Sequence, residues 1–261
     1  MLLAIDIGNT NTVLGVFVGE RIVHTWRVKT DTRGTADELM LTFRGLLDGT
    51  PVTGISLCST VPAVLREMRT MLGRYYAGVP TVIVEPGVRT GVPLLFDNPK
   101  EVGADRVVNT LAAHHLYGGP VVIVDFGTST NLDVVSAKGE FLGGALAPGI
   151  EISVEALASR AAQLRKVELV VPRSAIGKNT VEALQSGILS GFAGQVDGLV
   201  RRVVAELGGT ATVVATGGLA SLVIAHCETV HLHEPDLTLI GLRLVFEKNT
   251  SPAEPSAPGR S

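Results

Sequence analysis

The pattern Asp-X-Gly-X-Thr/Ser occurs twice in this chain, each time closing an apolar run, and that repetition limits the possible folds more than any other feature. The first copy, Asp6-Ile7-Gly8-Asn9-Thr10, follows Leu2-Leu3-Ala4-Ile5. The second, Asp125-Phe126-Gly127-Thr128-Ser129, follows Val121-Val122-Ile123-Val124. Beyond each tip the chain is apolar again, through Val13-Leu14-Gly15-Val16-Phe17 and through Leu132-Asp133-Val134-Val135. Both stretches read as strand–turn–strand hairpins whose tips carry a carboxylate, a glycine and hydroxyls. Glycine lets main-chain N–H groups approach an anion, hydroxyls add donors, and the carboxylate can hold a cation against that anion. Two such tips facing each other would clamp the phosphates of a nucleotide.

Composition fits a duplicated architecture. A chain of 261 residues that is 46% hydrophobic can bury one large core or two modest ones, and the repeated hairpin favours two similar halves. With a net charge of −3 and no Lys/Arg block, a nucleic-acid partner is not expected. The first apolar stretch meets Asp6 too soon for a signal peptide, and no run reaches the about 18 apolar residues of a membrane span. Cys58 and Cys227 supply neither a disulfide framework nor a Cys-rich zinc site and read as core thiols. A cytoplasmic, soluble protein is the expectation.

Periodicity supplies the elements. Arg21 to Val28 continues the first hairpin as a third strand. Thr35 and Glu38 make a capping-box signature ahead of a helix with Leu39, Phe43, Leu46 and Leu47 on one face. Val52 to Cys58 reads as a strand, and Pro62 opens a helix buried through Val64, Met68 and Met71. Thr81 to Val84 is a short strand, and the Pro/Gly-rich stretch from Pro86 to Pro99 an irregular, substrate-side loop. A helix from about Asp105 to Leu116 joins the halves. In the second half, Glu140 to Leu146 continues the second hairpin, and Val154, Leu157, Ala158, Ala161 and Leu164 line a helix face. Asn179 and Glu182 cap a long helix toward Leu207. Ala211 to Ala215 is a strand ending in Thr216-Gly217-Gly218, and Pro235 opens a last helix to about Glu247. The expected division is residues 1–115, residues 116–249 and a disordered Pro/Ala/Ser-rich tail over 250–261.

Four glycines, Gly187, Gly191, Gly194 and Gly198, recur along the long helix. Each costs about 1 kcal/mol against Ala in a helix interior, so the stripe asks for a close approach. Packing within the subunit and a dimer seam both satisfy that demand. His226, Cys227, His231 and His233 match no zinc-ligand spacing and read as surface and loop positions.

Together these pieces resemble the superfamily of acetate and sugar kinases, heat-shock chaperones and actin, and within it the type III pantothenate kinases. The resemblance rests on Asp6 to Thr12, Asp97-Asn98-Pro99-Lys100-Glu101-Val102-Gly103-Ala104-Asp105-Arg106, Asp125 to Thr130, Gly143-Gly144-Ala145 with Ala147-Pro148-Gly149, Gly177-Lys178-Asn179-Thr180 and Thr216-Gly217-Gly218-Leu219. The ordered set spans about Leu2 to Phe246. Neither a G-x-x-x-x-G-K-[ST] run nor a G-x-G-x-x-G run exists.

The resemblance implies an α/β fold of two duplicated ribonuclease H-like (actin-like ATPase) domains with a nucleotide cleft between them. It implies ATP-dependent phosphorylation of pantothenate to 4′-phosphopantothenate, the first step of coenzyme A biosynthesis, by a homodimer. By resemblance, Asp105 is the catalytic base; capping of the following helix is its structural alternative. Arg106 would pair with the pantothenate carboxylate, or else form a surface ion pair. Phe96, Gly103, Ala104 and Thr180 complete the substrate set, Thr180 lying one residue past the predicted cap. Asp6, Ile7, Gly8, Asn9, Thr10, Asn11, Thr12 and Val13 would bind ATP phosphates, with Asp6 also holding magnesium through water; turn formation is the bland role for Asp6. Asp125 resembles the ligand of a monovalent cation, potassium or ammonium, and Thr128 should contact ATP. Gly217 and Gly218 resemble the adenosine motif. Two positions depart from the family: Phe96, where tyrosine is expected in many relatives, and Asn131, where threonine is commoner. A rival reading is a non-catalytic regulatory protein on the same fold; another is a different enzyme of the superfamily. Intact Asp6, Asp105 and Asp125 argue against the first, and the missing Cys-rich zinc motif argues against a repressor-like sugar kinase.

Overall fold

A computed structural model describes residues 1–160 and 167–251. The opening strand β1 (Leu2–Ile7) turns at the first acidic tip into β2 (Asn11–Val18), and β3 (Arg21–Lys29) extends the hairpin. Helix α1 (Ala36–Leu47), strand β4 (Gly54–Ser59), helix α2 (Pro62–Tyr75) and strand β5 (Thr81–Ile83) follow. The sheet order is β3-β2-β1-β4-β5, with the hairpins antiparallel and β1, β4 and β5 parallel. The expected capping box is present: the Thr35 hydroxyl accepts the Glu38 N–H, and the Glu38 carboxylate accepts the Thr35 N–H at 2.8 Å. Pro62 sits in the first turn of α2, where its missing N–H costs nothing. Phe43 and Leu47 of α1 and Val64, Met68 and Met71 of α2 pack with Leu3, Ile5 and Ile7 of β1 into one core.

The second sheet repeats that plan. Helix α3 (Ala104–Tyr117) precedes β6 (Val121–Phe126), β7 (Ser129–Val135) and β8 (Phe141–Pro148). Next come α4 (Ile150–Arg160), the long α5 (Thr180–Glu206), β9 (Thr212–Thr216), the short α6 (Ala220–Val223), β10 (Leu232–His233) and α7 (Leu237–Thr250). Its order, β10-β9-β6-β7-β8, is the first sheet's order with each strand replaced by its counterpart. The two faces of this sheet bury different partners because strand side chains alternate. Val122, Val124 and Leu132 pack with Leu189, Ala193 and Val196 of α5. Val121, Ile123 and Val135 pack with Ala112 and Ala113 of α3.

The chain groups into two compact units, Met1–Thr90 with the chain from Leu242 onward, and Gly91–Gly241. Helix α3, which the sequence reading set in the first half, packs on the second sheet. One helix face needs correction: Val154 of α4 is buried, but Leu157 is 41% exposed. Ala161 and Leu164 lie outside the described residues, as does the tail from residue 252. Among the described residues no helix is long and apolar enough to cross a membrane.

Candidate active site

At the first tip, β1 and β2 pair Asp6 with Val13 and Ile7 with Thr12, and the turn closes through the Gly8 N–H on the Asn11 carbonyl at 3.0 Å. A side chain at Gly8 would bring its Cβ to 3.1 Å from that carbonyl, so the turn favours glycine. Asn9 and Thr10 are exposed, and Asp6, Gly8, Asn11 and Val13 are half-buried. Ile7 is fully buried, so only its main chain can serve a ligand. The Thr30 hydroxyl donates its proton to the Gly8 carbonyl at 2.7 Å. Thr12 is therefore the donor in its 3.0 Å contact with the Thr30 hydroxyl, and its side chain braces the tip rather than facing an anion. From the neighbouring strand, the Cys58 thiol donates to Asp6 Oδ1 at 3.4 Å.

At the second tip, Asp125 stands opposite Asn131 on β7 and Thr216 on β9. This brings two motifs far apart in sequence into contact. Gly217 has φ +94°, and a Cβ there would sit 2.5 Å from Asp125 Oδ1 and 2.7 Å from the Phe126 main chain. Gly149 is pressed as closely on the Thr128 carbonyl, 2.2 Å from where a Cβ would be. Thr128 and Gly218 are exposed. Asn131, 9% exposed, has a buried Oδ1 with no hydrogen-bond partner among the described residues.

The third group gathers at the start of α3. Gly103 is the N-cap, so Asp105 is not the capping residue; it lies inside the first turn. A side chain at Gly103 would place its Cβ 2.4 Å from Asp105 Oδ1. That oxygen is enclosed and has no hydrogen-bond partner among the described residues. Burial pushes the Asp105 carboxyl above the usual carboxylate range, and the Arg106 N–H, the Arg106 charge and the residue's own N–H pull it only part of the way back. Arg106 forms no surface ion pair. Its Nε donates to Asp133 Oδ1 at 2.7 Å and its Nη2 lies 2.5 Å from the same oxygen. Its guanidinium carbon stands 5.1 Å from the centre of the Phe141 ring. Phe96 meets that ring at 5.9 Å between centroids, and its loop is tied to β8 by the Leu95 N–H on the Phe141 carbonyl and the Phe141 N–H on the Pro93 carbonyl. Ala104 is half-buried beside them.

Thr180 is exposed at the first position of α5, past Asn179, whose side chain accepts the Glu182 N–H at 2.9 Å. It takes no part in the hydrogen bonds of Arg106 and Asp133. Gly177 is required by packing, since a Cβ would meet the Ala183 nitrogen at 2.3 Å. Asp133 is the site residue that the sequence reading passed over. It is 1% exposed, and burial raises its carboxyl to about 6 against the Arg106 hydrogen bond and charge, with the Asp105 charge adding to the rise. The available signal was an acid inside the apolar run Leu132 to Val135.

Comparison with known proteins identifies the family. The family model described as type III pantothenate kinase matches residues 2–202. A type III pantothenate kinase from Frankia alni is 72% identical over 249 residues, covering 95% of this chain and 100% of that one. Another from Saccharopolyspora erythraea is 68% identical, covering 95% and 99%. Among solved structures, the chain is similar in fold to an activator of 2-hydroxyisocaproyl-CoA dehydratase from Clostridium difficile with bound ADPNP, at TM-score 0.56 and 13% identity over 95% of each chain. It is similar also to a ROK hexokinase from Thermus thermophilus, at TM-score 0.52 and 18% identity over 94% of this chain and 97% of that one. A family match across most of the chain, with relatives near 70% identity, leaves one conclusion: this chain belongs to the type III pantothenate kinase family.

Proposed function

We propose that the protein transfers the γ-phosphoryl group of ATP to pantothenate, giving 4′-phosphopantothenate in the first step of coenzyme A synthesis. The observation that carries this reading is Asp105: a poorly solvated carboxylate with an orphaned oxygen, one residue from a fixed guanidinium, in a chain of this family. Such a group gains a missing hydrogen bond when it accepts the substrate hydroxyl, and a carboxylate raised by burial is a stronger base than a solvated one. Successive helix positions point about 100° apart, so Asp105 and Arg106 reach different ends of an extended substrate. Arg106 binds the pantothenate carboxylate, Phe96 supplies an apolar wall, and Gly103 and Ala104 let the substrate approach the main chain. Thr180 adds a hydroxyl to substrate binding. Phosphoryl transfer otherwise needs positioning and charge neutralisation. Residues Ile7 to Val13, with Ile7 and Thr12 acting through the main chain alone, and Thr128 hold ATP phosphates, Asp6 keeps magnesium near them through water, and Gly217 and Gly218 receive the adenosine.

A monovalent cation, potassium or ammonium, fits beside Asp125. Asp125 is the register partner of Asn131, whose buried amide oxygen lacks a partner among the described residues, and hard cations take oxygen ligands. Bound there, the ion neutralises negative charge near the phosphates. A second copy of the chain packs on the glycine stripe of α5. The enzyme works in the cytoplasm, a setting that suits its two free cysteines.

The test is ADP release by purified protein with ATP, magnesium, potassium and pantothenate. Turnover should depend on pantothenate, and Asp105→Asn should lower kcat by about 100-fold or more. Undiminished turnover in that variant would defeat the assignment.

A further inference from the structure

Along β7 the side chains of Asn131, Asp133 and Val135 share one face of the sheet, because strand residues alternate. Toward Val135 that face is apolar and lies under the middle of α3. Toward the start of α3 it turns polar, and Asp133 is the acid sunk deepest in it. A carboxylate buried this far is costly unless it is paired and fully hydrogen-bonded. Asp133 meets only half of that condition. Both Nε and Nη2 of Arg106 converge on Oδ1, while Oδ2 is enclosed with no partner among the described residues. A pair kept only for stability would gain from satisfying both oxygens, or from an apolar replacement on this face.

What the arrangement does achieve is orientation. One edge of the guanidinium is fixed on Asp133, and its carbon is held 5.1 Å from the Phe141 ring centre. Among the described residues its hydrogen bonds use Nε and Nη2, so the Nη1 side of this rigid plane of five N–H donors is left for another acceptor. We propose that Asp133 is a positioning residue for substrate recognition: by gripping Arg106 through a single oxygen, it presents the opposite edge of the guanidinium to the pantothenate carboxylate. The proposal rests on the assignment of Arg106 to that carboxylate. Asp133 itself touches no substrate and acts through Arg106 alone.

Steady-state kinetics of the full-length enzyme test this with two acceptors, pantothenate and the analogue whose carboxylate is replaced by a primary alcohol. Asp133→Asn should raise KM for pantothenate about tenfold, with kcat and KM for ATP changed less than about twofold. Turnover of the alcohol analogue should stay near the wild-type value. Arg106→Ala should show the same selectivity more strongly, and the double variant should be no worse than Arg106→Ala, since both act through one contact. Equal losses for both acceptors in Asp133→Asn, no loss for pantothenate, or a further loss in the double variant would overturn the proposal. Failure of Arg106→Ala to discriminate between the acceptors would instead remove the assignment of Arg106. If Asp133→Asn does not fold, Asp133→Glu carries the test, because it keeps the charge but displaces it. A pantothenate-selective loss there supports the proposal, and an equal loss for both acceptors overturns it.

Discussion

Asp105 and Asp133 show how burial sets the chemistry of single residues here. Asp133 binds its proton more tightly in the folded chain, at about 6 against an ordinary 3.8. Its contribution to stability is therefore greatest below the unfolded value and is lost as pH rises through the folded one. Over that window the group costs the folded state on the order of 3 kcal/mol, with the raised Asp105 acting in the same direction. Denaturant unfolding from about pH 4 to about pH 7 should thus show Asp133→Asn gaining on the wild type as pH rises. Parallel curves would contradict this. Gly103 makes a second residue-scale prediction. Its backbone, at φ −59° and ψ 146°, suits any residue, so alanine should fold normally. Its Cβ would nevertheless fall 2.4 Å from Asp105 Oδ1 and displace the carboxylate. Gly103→Ala should lose about 100-fold in kcat while its melting temperature moves little, measured by ADP release and thermal unfolding.

Elements were the most legible level in the sequence. The capping box at Thr35, Pro62 at a helix start and Asn179 at the head of α5 are local chemistry, decided by residues within four positions of each other. The face expected on α4 was less secure, since Leu157 is exposed and a five-residue apolar pattern cannot say how far a helix stays in contact with its sheet. Contacts between elements carry the remaining demands. Gly217 is the clearest: a positive φ and a 2.5 Å approach to Asp125 Oδ1 exclude any side chain. Gly217→Ala should weaken ATP binding about tenfold or more and lower the melting temperature, read by ATP titration and calorimetry. Unchanged ATP affinity would detach this turn from the nucleotide.

The whole molecule is one sheet plan used twice, and the glycine stripe of α5 belongs to this scale. Gly187, Gly191 and Gly194 are exposed and Gly198 is half-buried. Among the described residues no atom outside the local helix lies within 4 Å of where their Cβ atoms would be. Packing among the described residues does not use the stripe, and the proposed second copy would meet it there. On the proposed dimer, the wild type should sediment as a dimer and Gly191→Leu as a stable monomer; an unchanged sedimentation coefficient would place the seam elsewhere. The division of the chain is likewise a tertiary matter. Pattern reading assigned α3 to the first half by its order in sequence, whereas its apolar side meets Val121, Ile123 and Val135 of the second sheet. Sequence alone determined the two acidic hairpins, their flanking strands and the motif order, because alternation and turn chemistry are written in adjacent residues. Tertiary structure decided which side chains meet: Arg106 with Asp133, 27 positions on, and Gly217 with Asp125. Strand register and helix docking bring such pairs together, and neither is encoded within any short stretch of chain.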